Sequence, residues 1–437
     1  MKYVSTRSHS KTSTFEEVFL KGLAEDGGLF VPQELFKFNQ TEINSLKDLN
    51  YQDLATEIIF KFTGNFIDKN QLSKLIQKSY STFRHKNIID FSDVGEFKIM
   101  ELFHGPTLAF KDVGARFMAR FLGYINEKKR NKKITVLVAT SGDTGGAVAS
   151  GFNNIEGIDV VILYPKNKVS KIQEKQLTTL GNNIYALEVD GSFDQCQALV
   201  KKAFLDLSLK KKINLSSANS INIARLIPQT FYYFNAYSKI KDKSNVVISV
   251  PSGNFGNVTA GLLSKKMGLP IEKFIASTNS NKSVPDFIIN GVYEPYETIQ
   301  TISNAMDVGN PSNIKRILDI YKKSDNLKKD MLSWSYDDAQ TINAIRRILK
   351  NNKYILDPHS AVGLLGLENY IKYNSNCNGV FLGTAHPSKF LDIIETQINE
   401  KIKIPNRLKD VLKKEKKSLF IKNDYQDFSN YLLENFI

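Results

Sequence analysis

The sequence has too few cysteines, glycines and prolines for several classes of protein. Its 437 residues include 2 cysteines, 25 glycines and 12 prolines. Cys196 and Cys377 are too few for a disulfide framework and lack the spacing of a zinc site. The low glycine and proline content excludes collagen-like and low-complexity chains. A cytoplasmic location, where thiols stay reduced, is therefore expected.

Long apolar runs are also lacking. No stretch approaches the roughly 18 consecutive apolar residues of a membrane helix, and residues 1–20 lack the apolar core of a secretory signal. We therefore expect no membrane partner. The histidines show no pair at helical spacing, so no metal site is expected; they are His9, His85, His104, His359 and His386.

Acidic residues are outnumbered by basic ones. Lysine and arginine total 59 against 45 aspartate and glutamate, which gives a formal charge of +14. Such an excess raises the odds of an anionic partner. The basic residues come in short runs at 128–133, 210–212 and 413–417, beside apparent helix ends, where solvated lysines are common. We therefore expect no nucleic-acid partner, while a phosphorylated small molecule remains open.

Short β-branched runs alternate with helical segments from about residue 97 onward. This alternation predicts an α/β fold with two parallel or mostly parallel sheets covered by helices on both faces. Residues 1–95 read as mixed and largely helical, with helical spacing in 46–62 and 68–83. We expect three parts: 1–95, a smaller α/β domain at 96–225, and a larger one at 226–437.

Two glycine-rich turns follow predicted strands and open helices. One is SGNFGN at 252–257 and the other is SGDTGG at 141–146. A helix N-terminus offers unpaired N–H groups and a dipole that favour an anion, and glycine lets the backbone approach it. The alternatives are an ordinary tight turn for the first, and helix capping by Asp143 or Thr144 for the second.

Lys111 lies near the start of a predicted helix, on the same face as Ala115, Met118 and Leu122. A lysine on an apolar face usually extends its amine to solvent. The alternative is a desolvated amine with a lowered pKa, which can act as a nucleophile.

Five motifs in order give the chain a resemblance to a known family. HGPTLAFKD (104–112), ATSGDTGGA (139–147), PSGNFGN (251–257), DPHSAVG (357–363) and GTAHPSK (383–389) are similar to those of the threonine synthases. These are pyridoxal-phosphate enzymes with the tryptophan-synthase-β-like fold. YVSTR and LAEDGGLFVP, near the start, also resemble the family's N-terminal signature.

The resemblance implies pyridoxal 5'-phosphate as cofactor. Lys111 would carry it as a Schiff base and act in catalysis. Thr384 would lie near the pyridine nitrogen. The cofactor phosphate would lie in the loop at 252–257, held by Gly253, Asn254, Phe255, Gly256 and Asn257.

The resemblance also implies a reaction, the conversion of O-phospho-L-homoserine and water to L-threonine and phosphate, the last step of threonine biosynthesis. The expected substrate contacts are Ser141, Asp143, Thr144, Asn222 and Arg225. Arg225 would grip the substrate phosphate through its planar guanidinium. Another fold type II lyase, such as a serine/threonine dehydratase, is the alternative. We expect a monomer or homodimer.

Overall fold

The computed structural model describes residues 1–85, 87–129 and 133–437, and it contains three sheets. The strands are β1 (Lys2–Ser5), β2 (Ser13–Thr14), β3 (Phe30–Pro32), β4 (Asp90–Val94), β5 (Phe97–Glu101), β6 (Ile134–Ala139), β7 (Ile158–Pro165), β8 (Ile184–Asp190), β9 (Asn214–Ser217), β10 (Val246–Pro251), β11 (Lys273–Thr278), β12 (Met331–Ser335), β13 (Asn378–Gly383) and β14 (Leu419–Lys422).

Helices surround the sheets. They are α1 (Phe15–Lys21), α2 (Gln40–Leu46), α3 (Tyr51–Thr63), α4 (Lys69–Tyr80), α5 (Lys111–Lys129), α6 (Asp143–Phe152), α7 (Lys171–Thr178), α8 (Phe193–Leu205), α9 (Leu207–Lys212), α10 (Ile223–Leu226), α11 (Gln229–Lys239), α12 (Gly256–Lys266), α13 (Ser283–Asn290), α14 (Ile314–Tyr321), α15 (Ser324–Asp330), α16 (Asp338–Asn352), α17 (Pro358–Ile371), α18 (Leu391–Ile398), α19 (Asn406–Leu412) and α20 (Tyr425–Phe436). Three 3₁₀ turns span Gly64–Phe66, Asn304–Met306 and Pro387–Phe390.

Two of the sheets are parallel or nearly so. The five-stranded sheet has the order β14-β8-β7-β6-β9 and is parallel throughout. The six-stranded sheet has the order β12-β11-β10-β13-β5-β4, and only the β4–β5 pair is antiparallel. Every residue of β6, β7 and β10 is buried, as expected for strands covered on both faces. The predicted α/β fold class is confirmed.

The N-terminal region is largely helical, with an added sheet. Helices α3 and α4 form within the two segments of helical spacing, and Asn50 and Asp68 cap their first turns. The short antiparallel sheet β2-β1-β3 precedes them. Strands of two to four residues are too short for an alternating pattern to reveal.

The sheets exchange strands along the chain. β5 lies in the six-stranded sheet although it precedes Lys111, and β14 returns from the C-terminal end to pair with β8. The division at 95 and 225 remains a proposal about domains. Apart from β5 and β14, the strands within 133–217 build the five-stranded sheet, and those within 246–383 build most of the six-stranded sheet.

Basic residues gather at helix ends within the described residues. Lys128 and Lys129 end α5, and residues 210–212 end α9, where cations interact favourably with the helix dipole. Residues 130–132 of the first basic run lie outside the described residues. Along 1–85, 87–129 and 133–437, no helix has the length and apolarity needed to span a bilayer. The same residues contain no cluster of three potential metal ligands.

Aromatic packing holds α5, the helix that begins at Lys111. The ring of Phe117 lies 4.1 Å from that of Phe121, 5.7 Å from Phe231 and 6.1 Å from Phe19, measured between centroids. Phe117 is fully buried. Helix α5 is thereby fixed between the N-terminal region and α11.

We predict that Phe117→Ala lowers the free energy of unfolding by about 3–5 kcal/mol, since it removes a ring that contacts three others and leaves a cavity. Tyr373→Ala is the control, because Tyr373 is 83% exposed in the turn after α17; its effect should stay within about 0.5 kcal/mol. Chemical denaturation of both variants measures the difference. Equal effects would contradict the assigned packing.

Candidate active site

A cleft opens where strands of both parallel sheets end. Its walls include residues 139–141, 143 and 144 at the end of β6, residues 251–257 at the end of β10, and Thr384 after β13. Ligands of open α/β sheets bind at the carboxyl ends of strands, so this is the expected place for a site. Lys111 and Arg225 also line the cleft.

Lys111 is the first residue of α5, and its side chain is partly buried in the cleft. Backbone contacts place it beside the end of β13, because Phe110 N–H donates to the carbonyl of Thr384 at 2.9 Å. Burial lowers the pKa of Lys111 to about 8; Asp143 opposes this shift, while Lys389 and Arg225 add to it. A substantial fraction of the amine is therefore neutral near pH 7.5, as a nucleophile requires.

The loop after β10 presents unpaired donors to the cleft. Within the described chain, none of the backbone N–H groups of residues 253–258 donates a hydrogen bond to another protein group. Phe255 takes a left-handed conformation, with φ 59°, directly before α12. A Cβ on Gly253 would lie 2.6 Å from Met306 Cα, so only glycine fits there. These N–H groups form an anion site at a helix N-terminus.

Asn257 adds a side-chain donor to this loop. Its Oδ1 accepts hydrogen bonds from the hydroxyls of Tyr232 and Tyr233, each at 2.6 Å. Its Nδ2 is buried without a partner in the described residues. Because two donors fix the oxygen, the amide nitrogen is left to serve a ligand. The carbonyl and side chain of Asn254 are held in turn by Asn313 and by the N–H of Ser312.

Two side chains lie opposite this loop. Thr384 is buried directly after β13 and offers a neutral hydroxyl. His359 Nε2 accepts from the N–H of Ala305 at 3.2 Å, and its Nδ1 lies 2.8 Å from an oxygen of Asp357. These partners require the neutral tautomer with the proton on Nδ1, so His359 supports the segment around Ala305 and has no free nitrogen.

The loop after β6 is held from behind. The hydroxyl of Thr140 accepts from the N–H groups of Gly142 and Gly145 at 2.9 and 2.8 Å. Ser141, Asp143 and Thr144 line the cleft. The N-cap of α6 is Gly142, so neither Asp143 nor Thr144 caps this helix. Helix capping therefore does not account for these two residues.

Arg225 is buried without a carboxylate partner among the described residues. It donates one hydrogen bond, to the carbonyl of Ala218 at 2.5 Å, and its Nε has no partner there. Burial lowers its pKa to about 10, although the charge of Asp112 opposes the shift. A Cβ on Gly114 would lie 2.7 Å from the Arg225 carbonyl, so α5 must carry glycine at this crossing.

Asn222 is not brought to the cleft. It is fully buried and caps α10 by accepting from the N–H of Ala224 at 2.9 Å. Its Nδ2 donates to the carbonyls of Ser217 and Phe19. With both side-chain groups used internally, Asn222 has nothing to offer a substrate. The other predicted site residues all line the cleft.

Further residues also belong to the site. Asn219 clamps the end of β6 by bonding both the N–H and the carbonyl of Ala139. Ala305, Met306 and Val308, which follow β11 in the chain, form a wall of the cleft. Their position depends on contacts across more than 50 residues, which a motif search does not reveal.

Comparisons with known proteins agree on one family. Three family models match: threonine synthase N terminus over residues 2–80, pyridoxal-phosphate dependent enzyme over 96–377, and threonine synthase C-terminal over 360–432. A curated threonine synthase of Buchnera aphidicola subsp. Acyrthosiphon pisum is 45% identical over 413 residues, 94% of each chain.

Solved structures agree over nearly the whole chain. The threonine synthase of Escherichia coli superposes with a TM-score of 0.92 at 39% identity, covering 99% of this chain and 100% of that one. The threonine synthase of Brucella melitensis, solved with pyridoxal phosphate bound, gives 0.93 at 34% identity and covers 99% of both chains.

We predict that Arg225→Met raises the free energy of unfolding by about 1–3 kcal/mol, because it replaces a buried cation that lacks a carboxylate by an apolar chain of similar length. Arg116→Met is the matched control. Arg116 is equally buried, but its charge balances the fully buried Asp112, so this variant should lose about 1–3 kcal/mol. Denaturant melts of both variants without added phosphate test the opposite signs, and destabilisation by both would contradict the prediction.

Proposed function

The chain belongs to the threonine synthase family, and from this we propose that it converts O-phospho-L-homoserine and water to L-threonine and phosphate. It is a pyridoxal-phosphate-dependent lyase. The observation that carries the proposal is the juxtaposition of Lys111 with a loop of unpaired N–H groups in one cleft. An amine and a phosphate cradle are what an aldehyde cofactor with a phosphate tail requires.

The residues of the cleft fit this cofactor. We assign its phosphate to the N–H groups of Gly253, Asn254, Phe255, Gly256 and Asn257, with the unpartnered Nδ2 of Asn257 as a further donor. Because this nitrogen is buried without a partner in the described residues, an anion beside it would remove a desolvation cost of about 1–3 kcal/mol. Thr384 would meet the ring nitrogen with a hydroxyl, which carries no charge to hold a proton there.

Pyridoxal phosphate supplies the electron sink that makes C–H bonds beside the substrate nitrogen acidic. Lys111 supplies the amine that holds the cofactor and the base that moves protons at Cα and Cβ of the substrate. Its pKa of about 8 lets Nζ both accept and return a proton near neutral pH. In the proposed reaction phosphate leaves from Cγ, Cγ gains the proton that Cβ has lost, and water adds its hydroxyl at Cβ while its proton goes to the released phosphate.

The substrate has two ends that need partners. We place its amino-acid end against Ser141, Asp143 and Thr144, and its phosphate against Arg225. A guanidinium with an unused Nε is suited to a bidentate contact with phosphate. Asn222 does not contact the substrate in this proposal; it caps α10, the helix that carries Arg225.

A serine/threonine dehydratase remains the alternative function. Such an enzyme needs the amine and the phosphate loop but no site for a substrate phosphate. Arg225 favours the synthase, since its cation is buried and its hydrogen bond in the described chain goes to a carbonyl and not to a carboxylate. The family models that flank the pyridoxal-phosphate domain are also those of threonine synthases.

We further propose that the enzyme works in the cytoplasm as a monomer or homodimer, without nucleic-acid or membrane partners. Both cysteines are free thiols, as in reducing compartments. Light scattering of the purified chain decides between the two oligomeric states.

We predict that borohydride treatment of the holoenzyme attaches the cofactor covalently to Lys111, and that Lys111→Ala abolishes phosphate release from O-phosphohomoserine. Peptide mass spectrometry locates the adduct, and coupled assays compare phosphate with threonine. Lys129→Ala is the control, since Lys129 ends the same helix and pairs with Glu16; it should keep wild-type turnover. An adduct elsewhere would overturn the role of Lys111. Release of ammonia from threonine, without turnover of the phosphate ester, would favour the dehydratase.

We predict that Arg225→Met raises the KM for O-phosphohomoserine about 10-fold or more, while the affinity for pyridoxal phosphate changes much less. The loss of a charged hydrogen bond to the substrate phosphate is the cause. Arg347→Met, which removes a half-exposed pair with Glu368, should leave KM unchanged. An unchanged KM in Arg225→Met would assign the clamp to other residues.

A further inference from the structure

A fully buried lysine lies directly behind the cleft. Lys389, in the 3₁₀ turn after β13, has no exposed side-chain surface. Its Nζ lies 2.7 Å from an oxygen of Asp143 and 3.0 Å from the carbonyl of Thr107. Lys389 does not line the cleft, so it is not placed to contact the substrate. Its role has to act through Asp143.

The contacts of Lys389 join three segments that build the site. Asp143 begins α6 after β6 of the five-stranded sheet, whereas Lys389 follows β13 of the six-stranded sheet. Thr107 lies in the loop that leads to Lys111, and its N–H and hydroxyl both donate to Asp112 in the first turn of α5. One ammonium group therefore fixes the loop of Asp143 against the start of α5.

Helix α7 supports this arrangement from behind. Gln173 donates to the same oxygen of Asp143 at 2.9 Å, and Gln176 donates to the carbonyl of Thr107 at 3.0 Å. Ser170, the cap of α7, donates to the carbonyl of Lys389 at 3.1 Å. The pair is thus held in one geometry by neutral partners, as a buried ion pair needs.

The pair also sets the charge around Lys111. The charged groups that act on its amine are Asp143, Lys389, Arg225 and Asp357. Asp143 has the larger effect of the two carboxylates, and one of its oxygens is ion-paired with Lys389. Burial alone would raise the pKa of Asp143, but the charges of Lys389 and Lys111 lower it far below its usual value. Lys111 is the other cation whose charge lowers the pKa of Asp143.

We propose that Lys389 is a positioning residue for the reaction, which holds Asp143 in place and occupies its charge so that the nitrogen of Lys111 remains free of an ion pair. The inference rests on the proposed function, because it takes Lys111 as the residue that binds the cofactor. It predicts a defined direction for each charge change. Removing the cation raises the proton affinity of the Lys111 nitrogen, and removing the anion lowers it.

The test is a charge cycle on the holoenzyme, read by the pH midpoint of the cofactor's visible absorption between pH 5 and 10. Lys389→Met should raise the midpoint by about one pH unit or more, and Asp143→Asn should lower it. The double variant should return to within about 0.3 units of wild type, since neither charge remains. Lys389→Arg, which keeps the charge, should rescue the single variant. The pH profile of kcat/KM should move in parallel.

Lys265→Met is the matched control. Lys265 also bonds one aspartate, Asp330 at 3.2 Å, and main-chain carbonyls, those of Ile271 and Glu272. It lies near the end of α12 that is remote from the cleft, so its removal should leave the midpoint unchanged. Loss of thermal stability without any midpoint shift in Lys389→Met would overturn the proposal and leave a structural role.

Two further outcomes are decisive. If Lys389→Met does not fold, Asp143→Asn and the double variant carry the test; equal midpoints in these two would contradict the proposal. A wild-type enzyme that shows no cofactor band, or no hydride-trapped adduct at Lys111, would contradict the proposed function instead. If the cofactor band is normal but its pH midpoint is the same in every variant, the proposed role of Lys389 is wrong and the proposed function still stands.

Discussion

The cleft is built around buried positive charges, and each of them needs a negative partner. Lys111, Arg225 and Lys389 all lie in or behind it, together with a loop whose N–H groups point at no protein acceptor in the described residues. Within the protein, Asp143 supplies a negative charge and forms an ion pair with Lys389. Asp357 and Asp112 also act on Lys111 and Arg225, and the unpaired N–H groups of the loop are left for anions that enter the cleft. A cofactor and a substrate that each carry phosphate supply such anions, and their binding offsets part of the cost of burying the cations.

The residues that support the cleft are mostly polar, and they form hydrogen bonds to the residues that line it. Tyr232 and Tyr233 fix the oxygen of Asn257, Asn313 fixes Asn254, and Asp357 fixes the tautomer of His359. For Asn257 this support leaves the amide nitrogen pointing in a defined direction, and for His359 it fixes a ring whose two nitrogens are both in use. Catalysis by preorganised donors requires this, because donors that had to reorient during the reaction would lose much of their advantage. The site is accordingly built from pairs, of which one member faces the ligand and the other holds it.

Local features of the site could be predicted from the sequence, and long-range ones could not. The loop 252–257 was recognisable because a buried strand, two glycines and a helix start follow one another within twelve residues. The helical period placed Lys111 on an apolar face and left open whether its amine extends to solvent. A helix of four residues has no period to read, so the sequence did not reveal that Asn222 caps α10. The partner of Lys389 lies 246 positions away, β5 pairs with β13 much later in the chain, and β14 returns to β8. Such pairings depend on the whole fold.

The return of β14 to β8 has a consequence for how the polypeptide is made. The ribosome releases β6 to β9 early, yet the outer rim of β8 stays uncovered until residue 422 has emerged. During that interval an open parallel edge with apolar faces is accessible to other nascent chains. A 3′-truncated message would leave this edge permanently bare, so damaged transcripts should yield a product that chaperones and proteases remove rather than a partly active enzyme.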